Sequence, residues 1–255
     1  MGDSVSPLSD FTLGIPNTDI SYSDTLRLNN RMFLNDSVMN FGLSPFIQLA
    51  AAKGIALQTT FFLESIRLYI NGTTHRASRG DRFERLLRKS NITLDTQHIL
   101  IPFNDHAHWS LIFVRNLHEL RRVCGSKENM EAAMATVNAT NTEPGGYTRQ
   151  LVGGDSPALL LIDSADAHRA QSAFQPLREF LGHIIGAPLK VSATLMPGFR
   201  LDGVPKQSNS FDCGVYVVEF VRRLVQSPPI TFGKHVIRRG SGSSKKKKEK
   251  EKKEK

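Results

Sequence analysis

The fold is decided by the stretch Lys206-Gln207-Ser208-Asn209-Ser210-Phe211-Asp212-Cys213-Gly214-Val215-Tyr216, where a polar loop runs into an apolar helix. Hydrophobic residues recur at helical spacing from Cys213 to Gln226, which predicts an amphipathic helix that begins at the cysteine. Free backbone N–H groups and the positive end of the helix dipole favour a thiolate at such a position. A cysteine before a Val-rich helix could also be ordinary buried core. The polar approach, and Gly214, which lets another group come close to the backbone, favour a nucleophile.

A thiolate nucleophile needs an imidazole partner, and the chain has eight histidines. His108 begins an apolar strand in Asn104-Asp105-His106-Ala107-His108-Trp109-Ser110-Leu111, so rigid structure would hold its ring at the rim of a sheet. We predict that His108 is the base. The alternatives are a surface histidine without function, or a metal site made by His106 and His108 on one strand face. No third ligand is near these two residues, and we expect no metal.

Asp163 is the predicted partner of the imidazole. It follows the apolar run Leu159-Leu160-Leu161-Ile162 and precedes Ser164. A carboxylate at the end of a buried strand is costly unless it has a partner, and an imidazole N–H is a suitable one. Asp166 is the competitor, but its polar flanks indicate a solvated turn residue. The order His, Asp, Cys is one of several in which this geometry can be arranged along a chain.

The remaining pattern predicts an α+β fold. Three short apolar runs, 98–103, 108–114 and 158–162, are interpreted as strands of one sheet, with a further strand at about 189–195. Two successive capped helical pieces are expected after Leu34, the first beginning at Asn35-Asp36 and the second at Ser44-Pro45. Other helices are predicted at about 62–70, 82–89, 173–185 and 213–226.

The domain boundaries follow from composition. A leader rich in Ser, Pro and Asp covers 1–19 and is expected to be flexible, and the catalytic domain covers 20–232. Within that domain, about 117–157 is interpreted as a surface insertion because it has no clear strand and at most one short helix. Residues 233–255 form a charged tail that is expected to be disordered.

Charge and cysteine content exclude several classes of protein. The net charge is +9, but the last eleven residues contain eight lysines and three glutamates and supply +5 of it. The rest of the chain has no run of basic residues interleaved with polar or aromatic side chains that could contact bases. Nucleic-acid binding is therefore not expected. Two cysteines are too few for a disulfide framework, and no apolar segment reaches the roughly 18 residues of a membrane span. We expect a monomer in the cytoplasm, the nucleus or both, without contact with membranes.

Three blocks in order carry a resemblance to a known family: His108-Trp109-Ser110, Asp163-Ser164 and Gln207-x-x-Ser210-Phe211-Asp212-Cys213-Gly214. They resemble the motifs of the sentrin-specific and ubiquitin-like-protein proteases, the adenain-like branch of the papain superfamily. The resemblance implies a papain-like fold, a central mixed sheet flanked by helices with the nucleophile at a helix N-terminus. It implies that Gln207 and the backbone N–H of Cys213 form the oxyanion hole. It also implies that Trp109 covers the Gly-Gly tail of the substrate and that no cofactor is needed.

The upstream block Phe33-Leu34-Asn35-Asp36 resembles the family's Trp-Leu-Asn-Asp, with Phe in place of a second tryptophan. Phe33, Asn35 and Asp36 are therefore predicted to contact the substrate. Within the family, the segment 21–26 and the loop before Cys213 resemble the deneddylases. The implied function is a thiol protease and isopeptidase that cleaves after the C-terminal Gly-Gly of a Nedd-type modifier. A deSUMOylase is the alternative within the family. An acyltransferase of the superfamily and an inactive modifier-binding module are alternatives of other classes.

Overall fold

The structure is a computed structural model, and it describes residues 13–15, 18–29, 31–60, 76–90, 92–93, 95–132, 157–168, 170–187, 191–201, 203–227 and 237–238. The strands are β1 (Leu13–Ile15), β2 (Thr18–Ile20), β3 (Leu57–Thr59), β4 (His98–Asp105), β5 (His108–Arg115), β6 (Ala158–Ile162), β7 (Gly198–Leu201) and β8 (Ile237–Arg238). The helices are α1 (Tyr22–Thr25), α2 (Asp36–Ala52), α3 (Arg76–Arg88), α4 (Leu117–Cys124), α5 (Ala170–Ile184) and α6 (Cys213–Gln226), and a 3-10 turn covers Leu26–Leu28.

A six-stranded mixed sheet has the order β3-β4-β5-β6-β7-β8. Its centre, β4, β5 and β6, is antiparallel, whereas β3 runs parallel to β4 and β7 runs parallel to β6. The three strands predicted from the apolar runs are all present. The prediction of an α+β fold with a mixed central sheet and flanking helices is therefore confirmed.

Helices cover both faces of the sheet, which explains why its central strands are apolar without alternation. Successive side chains of a strand point to opposite faces. One face packs with α3, α4 and α5 through Ile99, Ile101, Ile112, Val114, Leu159 and Leu161. The opposite face packs with α2 and α6 through Leu100, Trp109, Leu111, Phe113, Leu160 and Ile162. Cys213 belongs to this second cluster, so the nucleophile lies on the side of the sheet that α6 covers.

The prediction of two helical pieces after Leu34 is wrong, because α2 is one continuous helix with Pro45 inside it. Its N-cap is Asn35, as expected, and the Asn35 Oδ1 atom accepts the backbone N–H of Val38 at 3.0 Å. An interior proline removes one helical hydrogen bond. Buried residues on both sides of it, Leu43 and Ala50, pack into the same core cluster and keep the helix continuous.

The strand predicted at 189–195 is also wrong. The strand at this place in the chain is β7, and the residues just before it form a turn. Leu195 and Met196 are apolar because that turn packs into the core on the α5 side of the sheet. Residues 188–190 lie outside the described ranges.

The domain boundaries need correction at three places. Residues 13–15 and 18–20 form an antiparallel strand pair, and β2 contacts α2, so the predicted flexible leader extends too far. The predicted surface insertion is wrong for its first part, because Leu117, Leu120, Cys124 and Met130 are buried core residues. In the predicted disordered tail, β8 pairs with β7. The predicted helix at 62–70, most of the insertion (133–156) and residues 239–255 lie outside the described ranges.

In the part of the chain that the structure describes, no helix has the length and apolar character needed to cross a bilayer.

Gly198 provides a test of the packing between β7 and α5. A Cβ atom at this position would lie 2.3 Å from Phe174 Cδ2, and Phe174 is itself buried in the core. We expect Gly198→Ala to lower the free energy of unfolding by about 1–3 kcal/mol, measured by urea denaturation.

Gly80→Ala is the matched control. Its Cβ atom would meet nothing closer than 3.8 Å, and alanine suits the interior of α3. We expect this variant to be as stable as the parent or more stable by up to about 1 kcal/mol. Equal losses of stability in the two variants would contradict the packing described.

Candidate active site

The three residues predicted to form a catalytic triad lie together at one edge of the sheet. His108 is the first residue of β5, and Asp163 directly follows β6. These strands are antiparallel, so the start of one and the end of the other meet at the same edge. Cys213 is the first residue of α6, which contacts β5. The His108 Nε2 atom lies 2.7 Å from Asp163 Oδ1, and the imidazole also hydrogen-bonds the Cys213 side chain.

These contacts set the charges of the three side chains. Burial opposes the ionisation of Asp163, but hydrogen bonds from His108 and from the backbone N–H of His168 hold the pKa of Asp163 well below its ordinary value. The hydrogen bond to Asp163, and then that to Cys213, raises the pKa of His108 to about 9. Burial opposes ionisation of Cys213 too, yet the hydrogen bonds to His108 and to the Trp109 backbone leave the pKa of this thiol below its ordinary value. Together these shifts favour a thiolate–imidazolium pair, the nucleophilic form of the dyad.

Both carboxylate oxygens of Asp163 are held by the turn that follows β6. The backbone N–H of Ala165 donates to Oδ1 and that of His168 to Oδ2, each at 2.9 Å. The Asp163 side chain is 0% exposed, and the Arg200 guanidinium lies 3.9 Å from Oδ2. A buried carboxylate needs such partners, so the conformation of this turn fixes the orientation of Asp163.

Asp166, the competing carboxylate, lies in the same turn but faces solvent, in agreement with its interpretation as a solvated turn residue. Its backbone is left-handed, with φ of 55°. The Asp166 carboxylate accepts from Arg200 at 2.8 Å and from Lys206 at 2.7 Å. Lys206 also donates to the backbone carbonyl of Asp163 at 2.9 Å. Asp166 therefore ties two basic side chains to the turn.

His168 is a functional neighbour that the sequence analysis missed. Its ring lies 5.0 Å from the ring of His108, and its Nε2 atom lies 3.1 Å from the Asp105 carbonyl. That carbonyl can only accept, so Nε2 carries the proton and Nδ1 accepts from the Ser110 hydroxyl at 2.7 Å. Burial lowers the pKa of His168. A neutral ring therefore packs beside the cationic one. The available signal was Ser110, a hydroxyl within an otherwise apolar strand.

Among the described residues, His108, Asp163 and His168 bring their possible ligand atoms within 4.8 Å of one another. Both nitrogens of His168 are already hydrogen-bonded, and both oxygens of Asp163 accept hydrogen bonds. The cluster is therefore built as a hydrogen-bond network, in which every donor already has an acceptor, rather than as a set of ligands facing one point.

Gln207 lies on the loop before α6, six residues from the nucleophile. Its Nε2 atom donates to the carbonyl of Asn209 at 2.6 Å, and its Oε1 atom accepts from the Ser164 hydroxyl at 2.6 Å. The Asn209 side chain in turn accepts the backbone N–H groups of Phe211 and Asp212. These bonds give the loop a defined conformation. The oxyanion role of Gln207 stays a prediction.

Trp109 is 2% exposed and belongs, with Cys213, to the core cluster on the face of the sheet that α2 and α6 cover. Its indole Nε1 donates to the carbonyl of Leu34 at 2.8 Å. A Cβ atom at Gly214 would lie 3.0 Å from Leu34 Cδ1. The close approach that Gly214 was expected to permit is therefore made by Leu34. The predicted role of Trp109 in covering a Gly-Gly tail stays a prediction.

The other predicted substrate contacts lie on the segment that leads into α2. Phe33 is 37% exposed, and Asp36 is exposed at the first position of the helix. Asn35 caps α2 through Oδ1, and its Nδ2 donates to Asp24 at 2.6 Å. The Asn35 side chain therefore has a structural role, which is to cap α2 and to join its N-terminus to Asp24. Substrate contact by Phe33, Asn35 and Asp36 stays a prediction.

Comparison with known proteins places this site in a family. The sequence profile of the Ulp1 protease family, C-terminal catalytic domain, matches residues 32–254. The chain belongs to this family. It is 30% identical over 226 residues to ubiquitin-like-specific protease 2 of Schizosaccharomyces pombe, covering 85% of this chain and 34% of that protein. It is 25% identical over 258 residues to human sentrin-specific protease 7, covering 86% of this chain and 24% of that protein. This Ulp1-family chain thus spans about a third or less of the length of these relatives.

Solved structures support the fold of this Ulp1-family member. One described as the de-sumoylating protease superposes with a TM-score of 0.56 at 18% identity, over 83% of this chain and 69% of the other. The C-terminal Ulp1 protease domain in complex with Smt3, the yeast ortholog of SUMO, superposes with a TM-score of 0.53 at 16% identity, over 86% of this chain and 78% of the other. The predicted adenain-like fold is confirmed. The finer prediction of a likeness to deneddylases finds no support in these matches.

The pKa of His108 leads to a test by alkylation. Asp163→Asn removes the interaction that raises this pKa most, so the imidazolium is lost at lower pH and stabilises the thiolate less. We expect the apparent pKa for alkylation of Cys213 by iodoacetamide to be higher in Asp163→Asn than in the parent. We also expect turnover of a modifier substrate to fall by at least about 10².

The Cys213→Ala variant measures the background alkylation, which should be small below pH 9, because burial raises the pKa of the Cys124 thiol to about 11. An unchanged alkylation profile in Asp163→Asn would contradict the coupling of Asp163 to Cys213 through His108.

Proposed function

We propose that this chain is a thiol protease that hydrolyses the bond after the C-terminal glycine of SUMO. The observation that carries the hydrolase assignment is the contact of 2.7 Å between His108 and the buried Asp163, together with the hydrogen bond between His108 and Cys213. This arrangement contains a nucleophile, a base and an orienting acid, and it occurs in a member of a protease family.

The reaction follows from the atoms available. Asp163 accepts from Nε2 of His108, which leaves Nδ1 for the sulfur of Cys213. The thiolate attacks the glycine carbonyl, and the oxyanion that forms accepts hydrogen bonds from the backbone N–H of Cys213 and from Gln207. His108 then gives its Nδ1 proton to the leaving amine, and a thioester forms. Water attacks the thioester while His108 accepts a proton from it, and the free modifier and the thiolate are regenerated.

The choice of modifier rests on the relatives and on the surface beside the site. Several similar proteins are described as sentrin-specific or as SUMO proteases, and this favours SUMO over a Nedd-type modifier. Most of the large exposed apolar side chains of the described ranges lie just before Leu34: Tyr22, Leu26, Leu28, Met32 and Phe33. Clustered apolar residues beside a catalytic site suit a folded protein partner. We propose that the globular part of the modifier docks on this segment while its tail reaches Cys213.

Rates on three substrates test this proposal. We expect the specificity constant for a fluorogenic SUMO conjugate to exceed those for Nedd-type and ubiquitin conjugates by about 10² or more at one salt concentration. All three modifiers end in Gly-Gly, so the difference must arise from contacts outside the glycines. A factor of 10² needs only about 2.7 kcal/mol of differential transition-state binding.

Cys213→Ala is the control for the chemistry. It should bind SUMO with the affinity of the parent and release no fluorophore. Faster turnover of the Nedd-type conjugate would overturn the SUMO assignment and leave the protease assignment standing. Residual turnover by the alanine variant would overturn both.

A further inference from the structure

Ser164 links the triad acid to the predicted oxyanion glutamine. It directly follows Asp163, at the end of β6, and is 2% exposed. Its hydroxyl lies 2.6 Å from Gln207 Oε1, and its carbonyl accepts the backbone N–H of Gln207 at 3.1 Å. Two hydrogen bonds therefore join the residue after the acid to the glutamine loop.

The orientation of the Gln207 amide follows from its second partner. The Asn209 carbonyl can only accept, so the amide atom 2.6 Å from it must be the nitrogen. The amide oxygen then faces Ser164, whose hydroxyl must be the donor. One N–H of Nε2 is used by Asn209, and the second N–H is left for the substrate oxygen. A flipped amide would present its oxygen to the developing oxyanion. The partial negative charge of the amide oxygen would then repel the negative charge of the oxyanion.

We propose that Ser164 is a positioning residue that holds the Gln207 amide in the productive orientation, which the Asn209 carbonyl sets. This inference rests on the proposed function, because the orientation matters only if Gln207 donates to the oxyanion. Ser164 acts through Gln207 and touches no substrate atom. Its effect therefore belongs to the transition state, where the oxyanion exists, and not to binding of the modifier.

Steady-state kinetics on the fluorogenic SUMO conjugate test the assignment. Losing one neutral hydrogen bond corresponds to a factor of about 3–10, so Ser164→Ala should lower kcat by that factor and leave KM unchanged. Gln207→Ala should lower kcat by about 10². In the Gln207→Ala background, Ser164→Ala should cause no further loss, because the group that it positions has been removed.

Two controls separate this role from others. Ser164→Cys fills the same space with a weak donor and should behave like the alanine variant, even if alanine leaves a destabilising cavity. Ser90→Ala removes a different hydroxyl that bonds a backbone carbonyl, that of Leu87, and should leave kcat unchanged. The pH profile of Cys213 alkylation, which uses no oxyanion hole, should be the same in Ser164→Ala and the parent.

Three results would overturn the inference. Equal losses of kcat from Ser164→Ala in both backgrounds would mean that Ser164 does not act through Gln207. A shifted alkylation profile would mean that it acts through Asp163 instead. If Gln207→Ala changes kcat less than twofold while Cys213→Ala is inactive, the oxyanion role of Gln207 fails and the inference fails with it, but the protease assignment remains.

Discussion

The carboxylate of Asp163 has no contact with solvent, and this buried charge constrains everything around it. Moving an ionised carboxylate out of water costs several kcal/mol, which must be offset by hydrogen bonds of good geometry. Here the imidazole of His108 and two backbone N–H groups provide them. Because the carboxylate stays ionised, the imidazolium is stabilised, and the imidazolium in turn stabilises the thiolate. The reactivity of Cys213 therefore depends on a turn that contains neither the nucleophile nor the base.

The end of β6 organises the second half of the site as well. Asp163 holds His108, and the next residue, Ser164, holds Gln207 on the loop before α6. Lys206, the neighbour of Gln207, bonds back to the carbonyl of Asp163. Asp163 and the loop that carries Gln207 are thus fixed to one strand end. The nucleophile is placed separately by α6, which packs so closely on α2 that a Cβ at Gly42 would lie 3.1 Å from Val218.

The sequence predicts those features that depend on local pattern, and it misses those that depend on packing. The N-terminal position of Cys213 on α6 follows from apolar periodicity. The strands β5 and β6, which place His108 and Asp163, follow from short apolar runs. The continuous α2 does not, because a proline is a local signal for a boundary and only burial on both sides of it shows otherwise. Leu117, Leu120 and Cys124 have helical spacing, but the polar composition of the longer segment obscured it. His168 is joined to Ser110 across 58 positions of the chain, and no local pattern reports such a contact.

Enclosure connects the reactivity of this site to its selectivity. Cys213 is 0% exposed, and Trp109 beside it is tied through its indole to the backbone of Leu34. In such an environment the attraction between thiolate and imidazolium is screened less than in water, so the ion pair is strengthened. The same buried side chains limit which groups can reach the sulfur of Cys213. Under the proposed function, the glycines of the modifier would pass beside Trp109 and Leu34, where a glycine adds only backbone atoms. Under the proposed function, recognition of the glycines and activation of the thiol would be two consequences of one packed interior. The proposed function therefore assigns the choice among modifiers that share a Gly-Gly end to contacts outside this interior, on the exposed segment before Leu34.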